Sequence, residues 1–235
     1  MGLKIRRFFW KLSDKLSNLA FIRHMSFLWH WKNFFFLLKY PFYRVYNRWT
    51  GKFMGYKYTE FDSVPDGWRI AFGKQMSRDI KAAGKMSRKR LKKHLSWKKM
   101  ITFEQIKEKY GGLCLYASAT QEIQDVLDKY ETLSYGYCIA CGKPARYRTR
   151  SWIEYYCEDC FVKNCLPYNY RTNTYGEISS EKLNAMKKEC RLTKKDIPHG
   201  VIYTEGKNGK PIKHKVDYKK RYDIDFEKLW GLGEK

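Results

Sequence analysis

The chain has 235 residues, with 48 Lys and Arg against 24 Asp and Glu, giving a formal charge of +24. Its 43% hydrophobic and 17% aromatic content suffices for a core and excludes a disordered basic tail. So large a charge repels cationic substrates and attracts polyanions. Nucleic acid is therefore the first candidate partner and an anionic membrane surface the second.

Residues 1–20 read as an amphipathic helix. Ile5, Phe8, Phe9, Leu12, Leu16 and Leu19 share one face, and Lys4, Arg7, Lys11 and Lys15 the other. It docks on its own domain, lies on a membrane, or enters a partner's groove. Lys11 and Lys15 interrupt the apolar stretch a secretory signal needs, and Arg6 stands where a myristoylation signal takes Ser or Thr. No run reaches the roughly 18–20 apolar residues of a transmembrane helix. The first region, 1–61, holds 12 basic and 2 acidic residues among many aromatics.

The second region, 62–134, opens on a turn at Pro65 and Asp66-Gly67. A helix follows, with Trp68, Ala71, Phe72, Met76, Ile80 and Ala83 at helical spacing and Gly84 as its stop. Met86–Lys99 carries seven basic residues and no acid: a solvated segment or a phosphate-binding stripe, with Arg88, Lys89, Arg90, Lys92 and Lys93 as contacts. Thr102 and Gln105 form a capping-box pattern ahead of Phe103, Ile106 and Tyr110, and Gly111-Gly112 stops that element. Leu113–Tyr116 reads as a buried strand, and a hairpin across the two glycines fits equally well. Gln121–Leu133 is the clearest helix, with Ile123, Val126, Leu127, Tyr130 and Leu133 in one stripe.

The third region, 135–165, contains Cys138, Cys141, Cys157 and Cys160 in a C-x2-C-x15-C-x2-C arrangement. Two CxxC turns can aim four thiolates at one ion, which predicts a zinc ribbon holding one structural Zn2+ with no open coordination position. Seven cysteines in all, an odd number, argue against a disulfide framework, and Cys165 reads as a bystander. Ala145–Arg150 and Trp152–Tyr156 read as two short strands. Arg146, Arg148 and Arg150 alternate onto one face as a second set of nucleic-acid contacts, with Tyr147, Trp152, Tyr155 and Tyr156 either stacking on bases or forming the ribbon's own core.

In the last region, 166–235, Ser180–Leu192 reads as a helix and residues 201–216 as a hairpin around Gly206–Gly209. Asp223–Trp230 is an acidic-aromatic strap over the chain's own basic surface, or else a docking peptide. The sequence has no G-x-x-x-x-G-K-[ST] and no H-E-x-x-H, and its five His are scattered, so no enzyme is expected. A nuclease with dispersed acids is the enzymatic alternative.

Val64-Pro-Asp-Gly-Trp-Arg69, Ile106-Lys-Glu-Lys-Tyr-Gly-Gly112, Asp128-Lys-Tyr-Glu131, Cys141-Gly-Lys-Pro-Ala145, Trp152-Ile153 and Cys157-Glu-Asp-Cys160 occur in this order. Over about residues 62–160 the chain resembles uncharacterised zinc-ribbon proteins of tailed bacteriophages and prophages. Ser151 and Cys114 depart from that pattern, which has glycine and arginine there. The resemblance implies a phage setting, with the protein in the host cytoplasm or inside the particle. The expectation is an α+β, non-catalytic protein that binds DNA or RNA through phosphates. The alternative is a virion or accessory protein that meets a capsid, portal or host protein.

Overall fold

The computed structural model describes residues 29–169, 174–205 and 211–232. The expected helix over 1–20 and the Gly206–Gly209 turn lie outside the described residues. Among those described, helices alternate with small antiparallel sheets, an α+β architecture.

Helix α1 (Trp29–Lys39) sends Phe36 and Leu37 into the main core, where Tyr40, Tyr43 and Phe61 join them. Tyr43 lies between Phe36 at 5.6 Å and Phe103 at 5.5 Å, both stacked. Beside this cluster two buried cations, Lys32 and Arg69, converge on Asp62 at 3.7 and 3.9 Å. A short helical turn, Asp66–Trp68, continues through a π-helical stretch, Arg69–Gly73, into α2 (Lys74–Leu91).

Gly84 does not end α2. A Cβ there would lie 2.4 Å from the Trp97 ring, so the glycine is present for close packing inside the helix. The helix stops instead at Lys92, which takes the left-handed conformation at φ 50°. Opposite its solvent face, Met76, Ile80 and Ala83 pack into the core shared with Ile123, Leu127 and Tyr130 of α4 (Gln121–Ser134). The expected α4 is present almost residue for residue.

The Thr102/Gln105 capping box does not form, because the segment is a strand. After α3 (Trp97–Met100), β1 (Ile101–Lys109) pairs with β2 (Gly112–Ala119) as a hairpin across Tyr110-Gly111. The register shifts between Phe103 and Gln105. That bulge puts Phe103 and Ile106, three apart, on the same buried face and so imitates a helical period.

Beyond α4 come β3 (Tyr147–Arg148), β4 (Tyr155–Tyr156), α5 (Glu158–Cys165), β5 (Tyr168–Asn169), β6 (Thr174–Tyr175) and α6 (Ser180–Cys190). The expected hairpin is β7 (Val201–Glu205) with β8 (Pro211–Lys215). Two short helices, α7 (Tyr218–Tyr222) and α8 (Phe226–Leu229), close the chain. The tail packs on the chain itself, against apolar side chains rather than over a basic surface: Ile224, Phe226 and Trp230 bury against Ala145, Tyr155 and Leu192, and Trp230 Nε1 donates to the Tyr135 carbonyl at 3.2 Å.

Candidate metal centre and basic face

The two CxxC turns meet. Sulfur atoms of Cys138, Cys141, Cys157 and Cys160 all lie within 4.8 Å of one another, with Cys141 and Cys157 at 3.4 Å. A tetrahedral ion with about 2.3 Å bonds to sulfur requires S–S edges of about 3.8 Å, so the donor set fits one metal ion. Cys165 is not in the cluster. Each turn has a local cause. Gly142 takes φ +77°, and its N–H closes the first knuckle onto the Cys138 carbonyl at 3.0 Å. Cys157 caps the N-terminus of α5, and Phe161 beneath it stacks on Tyr147 at 4.5 Å. Burial opposes ionisation of Cys138, yet N–H groups of Cys157, Cys141 and Ala140 aim at it and hold its thiol below the usual range. Burial and neighbouring sulfurs push Cys160 the other way. Four thiols this close cannot all ionise without a cation between them.

The first knuckle rests on the start of the α2 helical run. Gly67 N donates to the Ile139 carbonyl at 2.9 Å and Trp68 Nε1 to the Tyr137 carbonyl at 3.3 Å. A Cβ on Gly67 would stand 2.2 Å from the Cys138 carbonyl oxygen. The Asp66-Gly67 turn of the sequence is thus a platform for the metal site.

The arginines of the ribbon are occupied by the chain itself. Arg148 and Arg150 both pair with Asp196, at 3.1 and 3.0 Å, and Arg150 also donates to the Glu189 carbonyl. Arg146 donates to the Leu229 carbonyl of the tail at 2.9 Å and borders a basic cleft with Lys187, Lys188 and Arg191. Tyr147, Tyr155 and Tyr156 are buried as the ribbon's own core, while Trp152 is exposed.

The other predicted set divides. Arg88 lies over the Trp97 ring at 4.9 Å and donates to the Leu95 carbonyl. Arg90 pairs with Glu122, whose carboxyl is pulled down to about 2, first by Arg90. Lys89, Lys92 and Lys93 are exposed. Because α2 runs on through Gly84, Lys89 shares a face with Lys74, Arg78, Lys81 and Lys85, within about 80° of one another at 100° per residue. Lys92 at the C-cap extends this stripe to about 27 Å. Among the described residues, no acidic side chain pairs with any of the six. Burial first, with Lys85 and Lys39 adding to it, pushes the Lys81 ammonium below its ordinary range, and Lys81 Nζ donates to the Lys39 carbonyl at 3.0 Å.

The fold and site define an α+β protein with a four-cysteine centre able to hold a metal ion. No family model, curated protein or solved structure matches the chain. Among the described residues no helix is long and apolar enough to cross a membrane.

Proposed function

We propose that this is a non-catalytic nucleic-acid-binding protein whose α2 stripe contacts phosphates and whose four cysteines hold one structural zinc ion. The observation that carries the reading is the stripe: six cations on one helical face with no acidic partner among the described residues. A cationic face of this kind is costly to folding through self-repulsion and gains most when phosphates neutralise it. Zinc follows from the donor set, since four thiolates in a tetrahedron suit that ion and leave no position for substrate. The resemblance over residues 62–160 suggests a phage setting, in which the polyanion is packaged DNA or nucleic acid of the infected cell.

Protein purified without nuclease should retain nucleic acid at low salt and shed it at high salt, read as the 260/280 absorbance ratio. Elemental analysis should find one zinc per chain. Binding to a 20-base-pair duplex should weaken steeply with salt. Changing Lys74, Arg78, Lys85, Lys89 and Lys92 to Gln should lower the log–log slope by about 4.5, at roughly 0.9 per phosphate contact. A slope unchanged by all five substitutions would remove the stripe from the binding surface.

A further inference from the structure

We propose that a second surface, the groove between the 44–60 segment and the outer face of the β1–β2 hairpin, seats unpaired bases of a single strand. This rests on the nucleic-acid reading and adds a base-sensing site to the phosphate-binding stripe. The groove has a volume of about 940 Å3, near the upper end of the roughly 300–1,000 Å3 typical of ligand clefts. Arg44, Arg48, Lys98 and Lys107 line it together with Tyr46 and Tyr116. Cations pair with rings: Lys98 Nζ lies over the Tyr46 ring at 4.6 Å from its centre and Lys107 Nζ over that of Tyr116 at 5.2 Å. Cations beside rings suit a strand whose phosphates and base faces are both accessible, whereas a duplex hides its base faces.

Two further features point to a ligand. Glu60, Glu104, Asn47 and Gln105 also line the groove and offer acceptors and donors to base edges, which phosphate binding alone does not require. Between the lining residues Arg48 and Gly51, Trp49 is 95% exposed on an ordered backbone turn. Asn47 Oδ1 accepts from the N–H groups of Trp49 and Thr50 at 2.9 and 2.8 Å, and Gly51 N closes onto the Asn47 carbonyl at 2.8 Å. An exposed indole flanked in sequence by two lining residues is available to stack on a base that enters the groove.

The test compares four fluorescent ligands: (dT)20, (rU)20, a 20-mer of abasic nucleotides with the same phosphates, and a 20-base-pair duplex. One base stacked on an aromatic ring is worth roughly 5- to 150-fold in affinity. At least one of (dT)20 and (rU)20 should therefore bind at least fivefold tighter than the abasic strand, and their ratio identifies the preferred sugar. Tyr116→Ala and Trp49→Ala should erase that advantage without changing duplex binding or melting temperature. Tyr116→Phe, which keeps the ring, should preserve it. The five-Gln stripe variant should weaken all four ligands in similar proportion. Equal binding of base-bearing and abasic strands, or an advantage that survives Tyr116→Ala, overturns the groove while leaving the stripe standing. Failure of the wild-type protein to bind any of the four ligands removes the nucleic-acid reading, and the groove with it.

Discussion

Replacing Gly67 by Ala sets helix propensity against tertiary packing. Gly67 lies in the first turn of a long helical run, where Ala is ordinarily better by about 1 kcal/mol. In this fold the added Cβ would stand 2.2 Å from the Cys138 carbonyl oxygen and 2.4 Å from that of Ile139. Both are backbone atoms of the first knuckle, so it must retreat by about 1 Å to restore ordinary contact distances. Overpacking of this kind costs about 1–3 kcal/mol. The retreat also breaks the bonds from Gly67 N and Trp68 Nε1 to the knuckle, each worth about 0.5–1.5 kcal/mol. After subtracting the propensity gain, the net loss is about 1–5 kcal/mol. The central value of about 3 kcal/mol lowers the melting temperature by roughly 6–12 °C in a chain of this size. Thermal unfolding followed by circular dichroism with excess zinc measures this, and transfer of metal to a chromogenic chelator should be faster in the variant. A melting temperature equal to or above the wild type would show that the knuckle does not rest on Gly67, and the packing argument would fail.

Other outcomes follow from single sites. Tyr110 occupies the left-handed region at φ 52° in the β1–β2 turn, so Tyr110→Asn should stabilise the protein by roughly 1 kcal/mol in chemical denaturation; a loss would refute the strain. Burial opposes ionisation of Asp196, but Thr193, Arg150 and Arg148 together hold its carboxyl below the ordinary range. Because the folded value is depressed, its contribution is complete above about pH 4, the ordinary Asp range, and is lost as pH falls below it. Asp196→Asn should cost about 1–3 kcal/mol at pH 7 and flatten this acid limb; a variant with the wild-type acid limb would refute the assignment. Removing metal with a chelator should unfold the ribbon while leaving most helical signal, because the main core of α1, α2, α4 and the β1–β2 hairpin contains none of the four cysteines. Complete retention of ribbon structure in the chelator would sink the metal-dependent reading.

The four cysteines were legible because a CxxC turn is local geometry: the spacing alone brings two sulfurs together, and two such turns form one cluster. Helix α4 was legible because its apolar stripe is uninterrupted and matches one period. Misreadings arose where a local signal had a tertiary cause. Gly84 resembles a helix stop, yet it is a glycine because Trp97, thirteen residues on, lies against it. Phe103 and Ile106 resemble a helix face because a bulge adds a residue to a strand. For Arg146, Arg148 and Arg150 the structure adds partners that the alternating pattern could not show, the Leu229 carbonyl for Arg146 and Asp196 for Arg148 and Arg150, all distant in sequence. The stripe emerges only once α2 runs unbroken through Gly84, which aligns Lys74, Arg78, Lys81 and Lys85 with Lys89. Sequence alone determined the charge, the ligand set and the strongest helix, because each depends on residue type or short-range spacing. Tertiary structure decided which cations stay exposed and which are neutralised, because an arginine's role depends on whether a distant carboxylate or carbonyl reaches it.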